Sequence, residues 1–202
     1  DGPPGGECTF TGCVPSKAVI RAAKAAHNIT KAHQFGVTAD NIKVDFGKAL
    51  EQMRERRAHI GRHDAAQTIQ DKGVDVFLGH GRFAGPDVVE VDGVRLVFRK
   101  ALIATGARAA VPPIPGVDEV EVHTNESIFN LTERPARLAV IGAGPIGTEL
   151  AQSFQRLGSQ VTLIEMADRI LPRDDADAAA VVQDQLQSDG LEVLVRTKVL
   201  RL

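Results

Sequence analysis

The chain has 202 residues, a formal net charge of −2 and 43% hydrophobic residues, with a mean hydropathy of −0.08. This near-neutral charge gives no electrostatic reason to expect nucleic acid or an anionic membrane as a partner. No apolar run approaches the roughly 18 residues of a membrane span, and no signal peptide is visible at the start, so we expect a cytoplasmic protein. The two cysteines are too few for a secreted disulfide scaffold.

Those two cysteines, Cys8 and Cys13, are separated by a spacing that a straight helix cannot bridge. Residues i and i+5 of a helix lie about 8 Å apart between Cα atoms, whereas a disulfide tolerates at most about 7 Å. Gly12 permits a bend, and Pro15 suits the first turn of a helix. The sequence therefore predicts a helix over Val14 to about Ile29, with Cys13 at its N-terminus and Cys8 in the loop before it.

The position of Cys13 at a helix N-terminus favours a reactive thiolate. Lys17 lies one turn later on the same helix face. We interpret Cys8 and Cys13 as a redox-active disulfide, the alternatives being a small structural disulfide or two buried free thiols.

A second long helix is expected after Asp45, which is a suitable N-cap, and it should run to about Lys72. His59 and His63 lie at i and i+4, with Asp64 next, and this spacing could ligate a metal. No third ligand is evident, so we favour surface histidines and expect no metal site.

From residue 74 onward the pattern changes to short β-strands separated by glycines. Asp92-Gly93 is a tight-turn pair between two apolar runs and predicts a hairpin, while Gly79 and Gly81 should break the strand before it. The proline-rich stretch 111–116 indicates a domain boundary. The expected strands are Val74–Leu78, Val88–Val91, Val94–Val97 and a buried one at Ala101–Ala104.

The remainder of the chain alternates strand, helix, strand, helix and strand, which is typical of a parallel doubly wound sheet. The expected strands are Arg137–Ile141, Gln160–Ile164 and Leu191–Val195, with helices from Pro145 to about Leu157 and from Ala176 to about Gln187.

A glycine-rich turn joins the first of these strands to its helix. Gly142 would allow the tight turn, Gly144 the close approach of a pyrophosphate, and Gly147 the packing of helix on strand. Glu165 ends the next strand and can accept hydrogen bonds from a ribose 2′-OH, which favours NAD over NADP, although Arg169 nearby weakens that preference. The alternative is a glycine-rich turn without a ligand.

Taken together, these motifs resemble those of the FAD-dependent pyridine nucleotide-disulfide oxidoreductases, in the dihydrolipoamide dehydrogenase and mercuric reductase-like branch. The resemblance rests on residues 5–17, on Ala104-Thr105-Gly106 and on residues 142–152. It implies an α/β fold of FAD/NAD(P)-binding, three-layer Rossmann-like domains, truncated at both ends. Residues 1–116 would form part of an FAD-binding domain, and residues 117–202 an incomplete NAD-binding domain.

The resemblance also implies roles for individual residues. Cys13 would lie next to the flavin, Cys8 would be the thiol that attacks substrate, and Lys17 would lie near the flavin N5, buried and paired with Glu149. Ile146 would lie at the nicotinamide pocket. Four further positions match contacts to FAD, namely Gly6, Gly81, Thr105 and Gly106.

Finally, the resemblance implies FAD and NAD as cofactors, a small-molecule or lipoyl disulfide or mercuric ion as substrate, and a homodimer in the full-length protein. The first FAD-binding glycine motif, the dimerisation domain and a His-Glu acid–base pair are expected outside the given chain. Two alternatives remain open. One is a reductase of another acceptor, such as a quinone, in which the thiols are spectators, and the other is a nucleotide-binding fragment without turnover.

Overall fold

The structure is a computed structural model that describes residues 3–202, in which six α-helices accompany two three-stranded β-sheets. The helices are α1 (Gly6–Phe10), α2 (Cys13–Lys31), α3 (Phe46–Gly61), α4 (Ala66–Gln70), α5 (Pro145–Arg156) and α6 (Ala176–Ser188). The strands are β1 (Gly81–Gly85), β2 (Val88–Val91), β3 (Val94–Val97), β4 (Arg137–Ile141), β5 (Gln160–Ile164) and β6 (Glu192–Leu194). Short 3-10 helices cover Ala32–Phe35, Val117–Glu119 and Ile128–Asn130.

The first two helices meet at a sharp bend next to Gly12, as the cysteine spacing requires. Cys13 is the first residue of α2, but Cys8 lies in α1 and not in a loop. A Cβ at Gly12 would lie 3.0 Å from the carbonyl oxygen of Glu7, which is a tight contact, so glycine at this position favours the close approach of the two helices.

The predicted single helix after Asp45 is two helices, α3 and α4. Its start is correct, since the Asp45 carboxylate accepts a hydrogen bond from the Lys48 N–H at 2.9 Å. α3 ends at Gly61, where the ring of Phe10 packs against the helix. The chain then turns so that Asp64 can contact α1, and this tertiary contact overrides the helical propensity of the segment.

The antiparallel sheet contains the predicted hairpin, with β2 paired to β3 over residues 88–97. Asp92 and Gly93 both have positive φ, 47° and 86°, as a type I′ turn requires. The expectation that Gly81 breaks a strand is wrong, because Gly81 begins β1, which pairs with β2.

Two predicted strands, Val74–Leu78 and Ala101–Ala104, are irregular in the structure. A strand needs a hydrogen-bonded neighbour, and residues 3–202 place none beside either segment. The second segment is also not buried, since Leu102 and Ile103 are 91% and 69% exposed.

The parallel sheet has the strand order β4-β5-β6, with α5 and α6 as the connections, and confirms the predicted alternation. Its strands end together, Ile141 being paired with Ile164 and Ile164 with Leu194. The glycine-rich turn therefore lies at the carboxyl edge of the sheet, where open α/β sheets bind their ligands.

A single hydrophobic cluster joins α2 and α3 to α5 and the parallel sheet. The rings of Phe46 on α3 and Phe154 on α5 are 5.6 Å apart between centroids. Because this cluster spans both halves of the chain, it fixes the start of α2 relative to the start of α5. Across residues 3–202, no helix is long and apolar enough to cross a membrane.

Candidate functional site

A cavity of about 290 Å³ lies where the N-terminus of α2 meets the N-terminus of α5. Five residues that the sequence singled out line it: Cys8, Cys13, Lys17, Ile146 and Glu149. These residues lie up to 141 positions apart (149 − 8). The shared core of α2, α3 and α5 brings them together.

Cys8 and Cys13 form a disulfide whose Cα atoms are 4.7 Å apart, inside the limit of about 7 Å for such a bond. The bend at Gly12 produces this distance, since both residues lie in helices whose axes change direction there. Both cysteines are exposed at the cavity, so the bond is accessible to a reductant. Cys13 also lies at the positive end of the α2 dipole, which would stabilise a thiolate.

The expected ion pair between Lys17 and Glu149 is present, with Lys17 Nζ 2.7 Å from both carboxylate oxygens. The expected burial is absent: the two side chains are 60% and 39% exposed because they project into the cavity and not into the core. An exposed pair of this kind adds little to stability. Its consequence is geometric, since it connects the first turn of α2 to the first turn of α5 directly across the cavity.

The glycine-rich turn presents an open surface to a ligand. Gly142 has a φ of 98°, which lets the chain turn sharply after β4. A Cβ on Gly144 would have no atom within 4 Å, so the backbone there is open to close approach. The first backbone hydrogen bond of α5 runs from Thr148 N–H to Gly144 C=O, so the N–H groups of Ile146 and Gly147 in the first turn have no partner within the helix and can bind an anion. These features fit a dinucleotide pyrophosphate.

Glu165 follows β5 and its carboxylate contacts the same turn. It accepts hydrogen bonds from the N–H groups of Ala143 and Ala167, both at 2.8 Å. A carboxylate has about four lone-pair positions, so about two remain for ribose hydroxyls. Arg169 instead donates to the carbonyls of its own loop, at Pro172 and Asp174.

Three predicted contact residues for FAD lie away from the cavity. Gly81 is in β1, and Thr105 and Gly106 are exposed in a stretch without helix or strand. None of the three lines the cavity. Gly6 is at the start of α1, two residues before Cys8.

Asn125 and Phe129 also line the cavity, although they lie outside the motifs that the sequence singled out. Asn125 Nδ2 donates to Glu7 Oε1 at 3.1 Å and to the Thr11 carbonyl at 3.3 Å. No local signal could have found it, because these contacts span 118 and 114 residues. Asp64, considered above beside His59 and His63, instead accepts a hydrogen bond from Thr9.

Comparison with known proteins gives a consistent result. The profile of a family described as pyridine nucleotide-disulphide oxidoreductase matches residues 3–202. The chain is 36% identical over 191 residues to a mercuric reductase of Bacillus cereus, covering 94% of this chain and 30% of that protein. It is 35% identical over 200 residues to a dihydrolipoyl dehydrogenase of Acholeplasma laidlawii, covering 96% of this chain and 59% of that protein.

Among solved structures, the chain resembles the Cu(II) complex of the HOCl-induced flavoprotein disulfide reductase RclA from Escherichia coli. The TM-score is 0.79 at 29% identity, covering 98% of this chain and 42% of that one. The chain thus spans less than two thirds of the length of each of these three proteins.

Proposed function

Because the chain belongs to the pyridine nucleotide-disulphide oxidoreductase family, we propose that it is part of a flavoenzyme that exchanges electrons between NAD(P)H and the Cys8–Cys13 pair. The observation that carries the proposal is the position of this disulfide in the cavity that Lys17, Ile146 and Glu149 also line. Bound FAD would supply the relay of two electrons between the nicotinamide and the disulfide.

The thiol chemistry belongs to this chain. Uptake of two electrons and two protons converts the disulfide to two thiols. For a disulfide substrate, the Cys8 thiolate attacks one sulfur and releases the first substrate thiol, leaving a mixed disulfide. The Cys13 thiolate then attacks the Cys8 sulfur, which releases the second substrate thiol and restores the Cys8–Cys13 bond. The position of Cys13 at the α2 N-terminus supports its assignment as the second nucleophile.

The cofactor contacts follow from the same geometry. Gly142, Gly144 and Gly147 would hold the NAD pyrophosphate at the start of α5, and Glu165 the ribose hydroxyls. The free lone pairs of Glu165 and the engagement of Arg169 with its own loop support NAD over NADP. On the FAD side we assign Lys17 to the flavin ring and four further residues to contacts along the cofactor: Gly6, Gly81, Thr105 and Gly106.

We also propose that residues 1–116 contribute to an FAD-binding domain and residues 117–202 to an NAD-binding domain of a cytoplasmic homodimer. The names of the relatives suggest two substrate classes, a lipoyl or other disulfide and the mercuric ion. Both suit a dithiol, since a thiolate pair can reduce a disulfide and can ligate a soft metal ion.

The test is to load the full-length protein that contains these residues with FAD and to titrate it anaerobically with NADH. We expect a flavin spectrum, a long-wavelength absorbance band after two-electron reduction, and two new alkylatable thiols at Cys8 and Cys13. We expect Cys13→Ser to keep its flavin but to lose at least about 10³-fold in turnover with a disulfide substrate, as for loss of an essential nucleophile.

The control is the exposed Gln67→Ala on α4, which should retain both flavin and turnover. Unchanged turnover of Cys13→Ser would remove the disulfide from the mechanism and favour a reductase of another acceptor, such as a quinone. If the full-length protein cannot be reconstituted with FAD, the proposed electron transfer is wrong and a nucleotide-binding protein without turnover is favoured.

A further inference from the structure

Four residues separate the two cysteines, and three of them are hydrogen bonded to distant parts of the chain. We call residues 9–12 the redox loop. The partners lie 55, 47 and 114 positions away and come from three separate places: the turn after α3, α3 itself and the turn before the third 3-10 helix. The bonds run from Thr9 Oγ1 to Asp64 Oδ2 at 2.5 Å, from Arg57 Nη1 to Phe10 O at 3.2 Å, and from Asn125 Nδ2 to Thr11 O at 3.3 Å.

These anchors are themselves held in place. Arg57 lies in the last half of α3, a helix that contributes Leu50 and Met53 to the core. The turn that carries Asn125 is closed by a hydrogen bond from Thr124 N–H to Ser127 Oγ at 3.1 Å. It leads directly into the buried Ile128 and Phe129. Two of the three anchors of the redox loop therefore belong to, or directly precede, elements that pack into the hydrophobic core.

We propose that Asp64, Arg57 and Asn125 are positioning residues that hold the redox loop in its closed form and so set the disulfide–dithiol equilibrium of Cys8 and Cys13. The inference rests on the proposed redox role of the pair. It adds to that role three residues that act through hydrogen bonds to the redox loop and not through the sulfur atoms.

The physical reason is a difference in freedom between the two redox states. In the disulfide, the covalent bond holds the loop whether or not the anchors are present. In the dithiol, the anchors and the backbone hydrogen bonds of α1 and α2 restrain it, and together they keep the two thiols at a high effective concentration for reclosure. Removing an anchor lowers this effective concentration, so the disulfide becomes less stable relative to the dithiol and the equilibrium shifts towards the reduced pair.

The size of the shift follows from the usual contribution of one hydrogen bond. Loss of one such bond corresponds to about a two- to tenfold change in an equilibrium constant. For a two-electron couple a tenfold change equals about 30 mV. Such shifts are measurable by thiol exchange.

The experiment equilibrates the FAD-loaded full-length protein anaerobically with mixtures of reduced and oxidised dithiothreitol. Reduction of the protein disulfide by one dithiothreitol yields the two protein thiols and one cyclic oxidised dithiothreitol. Acid quenching, alkylation with N-ethylmaleimide and mass measurement of the peptide that carries both cysteines then give the reduced fraction. This readout does not depend on turnover.

Thr9 offers a matched pair of variants. Thr9→Val keeps the shape of the side chain but loses the hydroxyl that donates to Asp64, whereas Thr9→Ser keeps the hydroxyl. We expect Thr9→Val and Asn125→Ala each to favour the dithiol by about two- to tenfold. Thr9→Ser should behave as the parent. So should the control Gln67→Ala, which loses only a surface hydrogen bond to Asp71.

The outcomes separate the two proposals. If the parent pair cycles but Thr9→Val and Asn125→Ala both retain its equilibrium constant, the positioning role is wrong while the redox role stands. If Thr9→Ser shifts as far as Thr9→Val, the hydroxyl is not the cause, which also overturns the inference. A parent pair that dithiothreitol cannot reduce at any ratio overturns the proposed function and this inference with it. If circular dichroism shows that Asn125→Ala does not fold, the comparison of Thr9→Val with Thr9→Ser tests the inference by itself.

Discussion

Gly144 and Gly147 lie three residues apart at the start of α5, yet they have opposite surroundings. A Cβ on Gly144 would meet nothing within 4 Å, and its φ of −71° is accessible to any residue. A Cβ on Gly147 would overlap the carbonyl of Gly142 and lie 3.5 Å from Val140 Cγ1. The first glycine therefore keeps space for a ligand, and the second permits the turn itself to pack.

Alanine substitution should separate these two roles. We expect the free energy of unfolding of Gly144→Ala to stay within about 0.5 kcal/mol of that of the parent. The variant should bind NADH at least tenfold more weakly, because its methyl group occupies the space that the pyrophosphate would approach. We expect Gly147→Ala to lose about 1–3 kcal/mol of stability through overpacking. Denaturant unfolding and NADH titration measure the two effects. Equal destabilisation by both variants, or full NADH affinity in Gly144→Ala, would contradict this assignment.

At the scale of elements, α2 is attached to the second half of the chain at both of its ends. Lys17 pairs with Glu149 near its start, and His27 lies 3.6 Å from Asp189 near its end. The Asp189 side chain is only 1% exposed. Because the two contacts are ten residues apart on one helix, they fix both its position and its direction relative to α5.

The buried Asp189 side chain is the centre of a polar cluster between α2, α5 and α6. Its carboxylate accepts hydrogen bonds from Gln152 at 2.8 Å and from Arg156 and Gln185 at 2.7 Å. Burial raises the pKa of Asp189, but the hydrogen bonds from Arg156, Gln185 and Gln152 outweigh it and hold the pKa below its usual value. The carboxylate is thus ionised at neutral pH and accepts a hydrogen bond from each of these three side chains.

We expect the stability of the folded chain to depend on pH through His27, which lies beside this cluster. Burial and the nearby positive charges of Arg156 and Lys31 lower the pKa of His27 below 6.5, against the opposing effect of Asp189. Below pH 6.5 the unfolded chain therefore binds a proton at His27 more readily than the folded chain does. The free energy of unfolding should then fall as the pH drops through 6.5.

We expect His27→Gln to remove this contribution. Its Tm should decline less than that of the parent between about pH 7.5 and pH 5.5, because glutamine does not titrate there. Thermal unfolding across the range measures the difference. The exposed His63→Gln is the control and should follow the parent curve. If the His27→Gln curve also runs parallel to that of the parent, His27 does not carry the pH dependence.

At the scale of the whole molecule, two apolar segments lie open to solvent. Leu78, Leu102 and Ile103 are 74%, 91% and 69% exposed, which is high for such large apolar side chains. The relatives named above are considerably longer than this chain. Exposed apolar surface of this kind is typical of interaction sites.

Polar substitution of these exposed side chains should reduce the apolar surface of the chain without lowering its thermal stability. We expect the double variant Leu102→Ser, Ile103→Ser to bind less of a hydrophobic dye and to leave Tm unchanged, since neither side chain packs against the core. The contrasting variant Leu163→Ala removes a fully buried side chain of β5 and should cost about 2–5 kcal/mol. A large fall in Tm of the double variant would show that the segment is packed after all.

The sequence by itself determined the features that depend on neighbours a few residues apart. The hairpin follows from Asp92-Gly93 between two apolar runs, and the dinucleotide turn from three glycines between a strand and a helix. The bend that joins Cys8 to Cys13 follows from Gly12 and from the fixed rise of a helix. Each of these signals is local, so it is present in the order of the residues.

Only the tertiary structure decided the features that depend on distant neighbours. Val74–Leu78 has the composition of a strand, but a strand forms only where another strand can accept its hydrogen bonds. The partner of Lys17 could be inferred from the family motif, whereas its exposure depended on the shape of the cavity. The anchors of the redox loop, above all Asn125, left no local signal, because contacts across 47 to 114 residues arise only from the packing of the whole core.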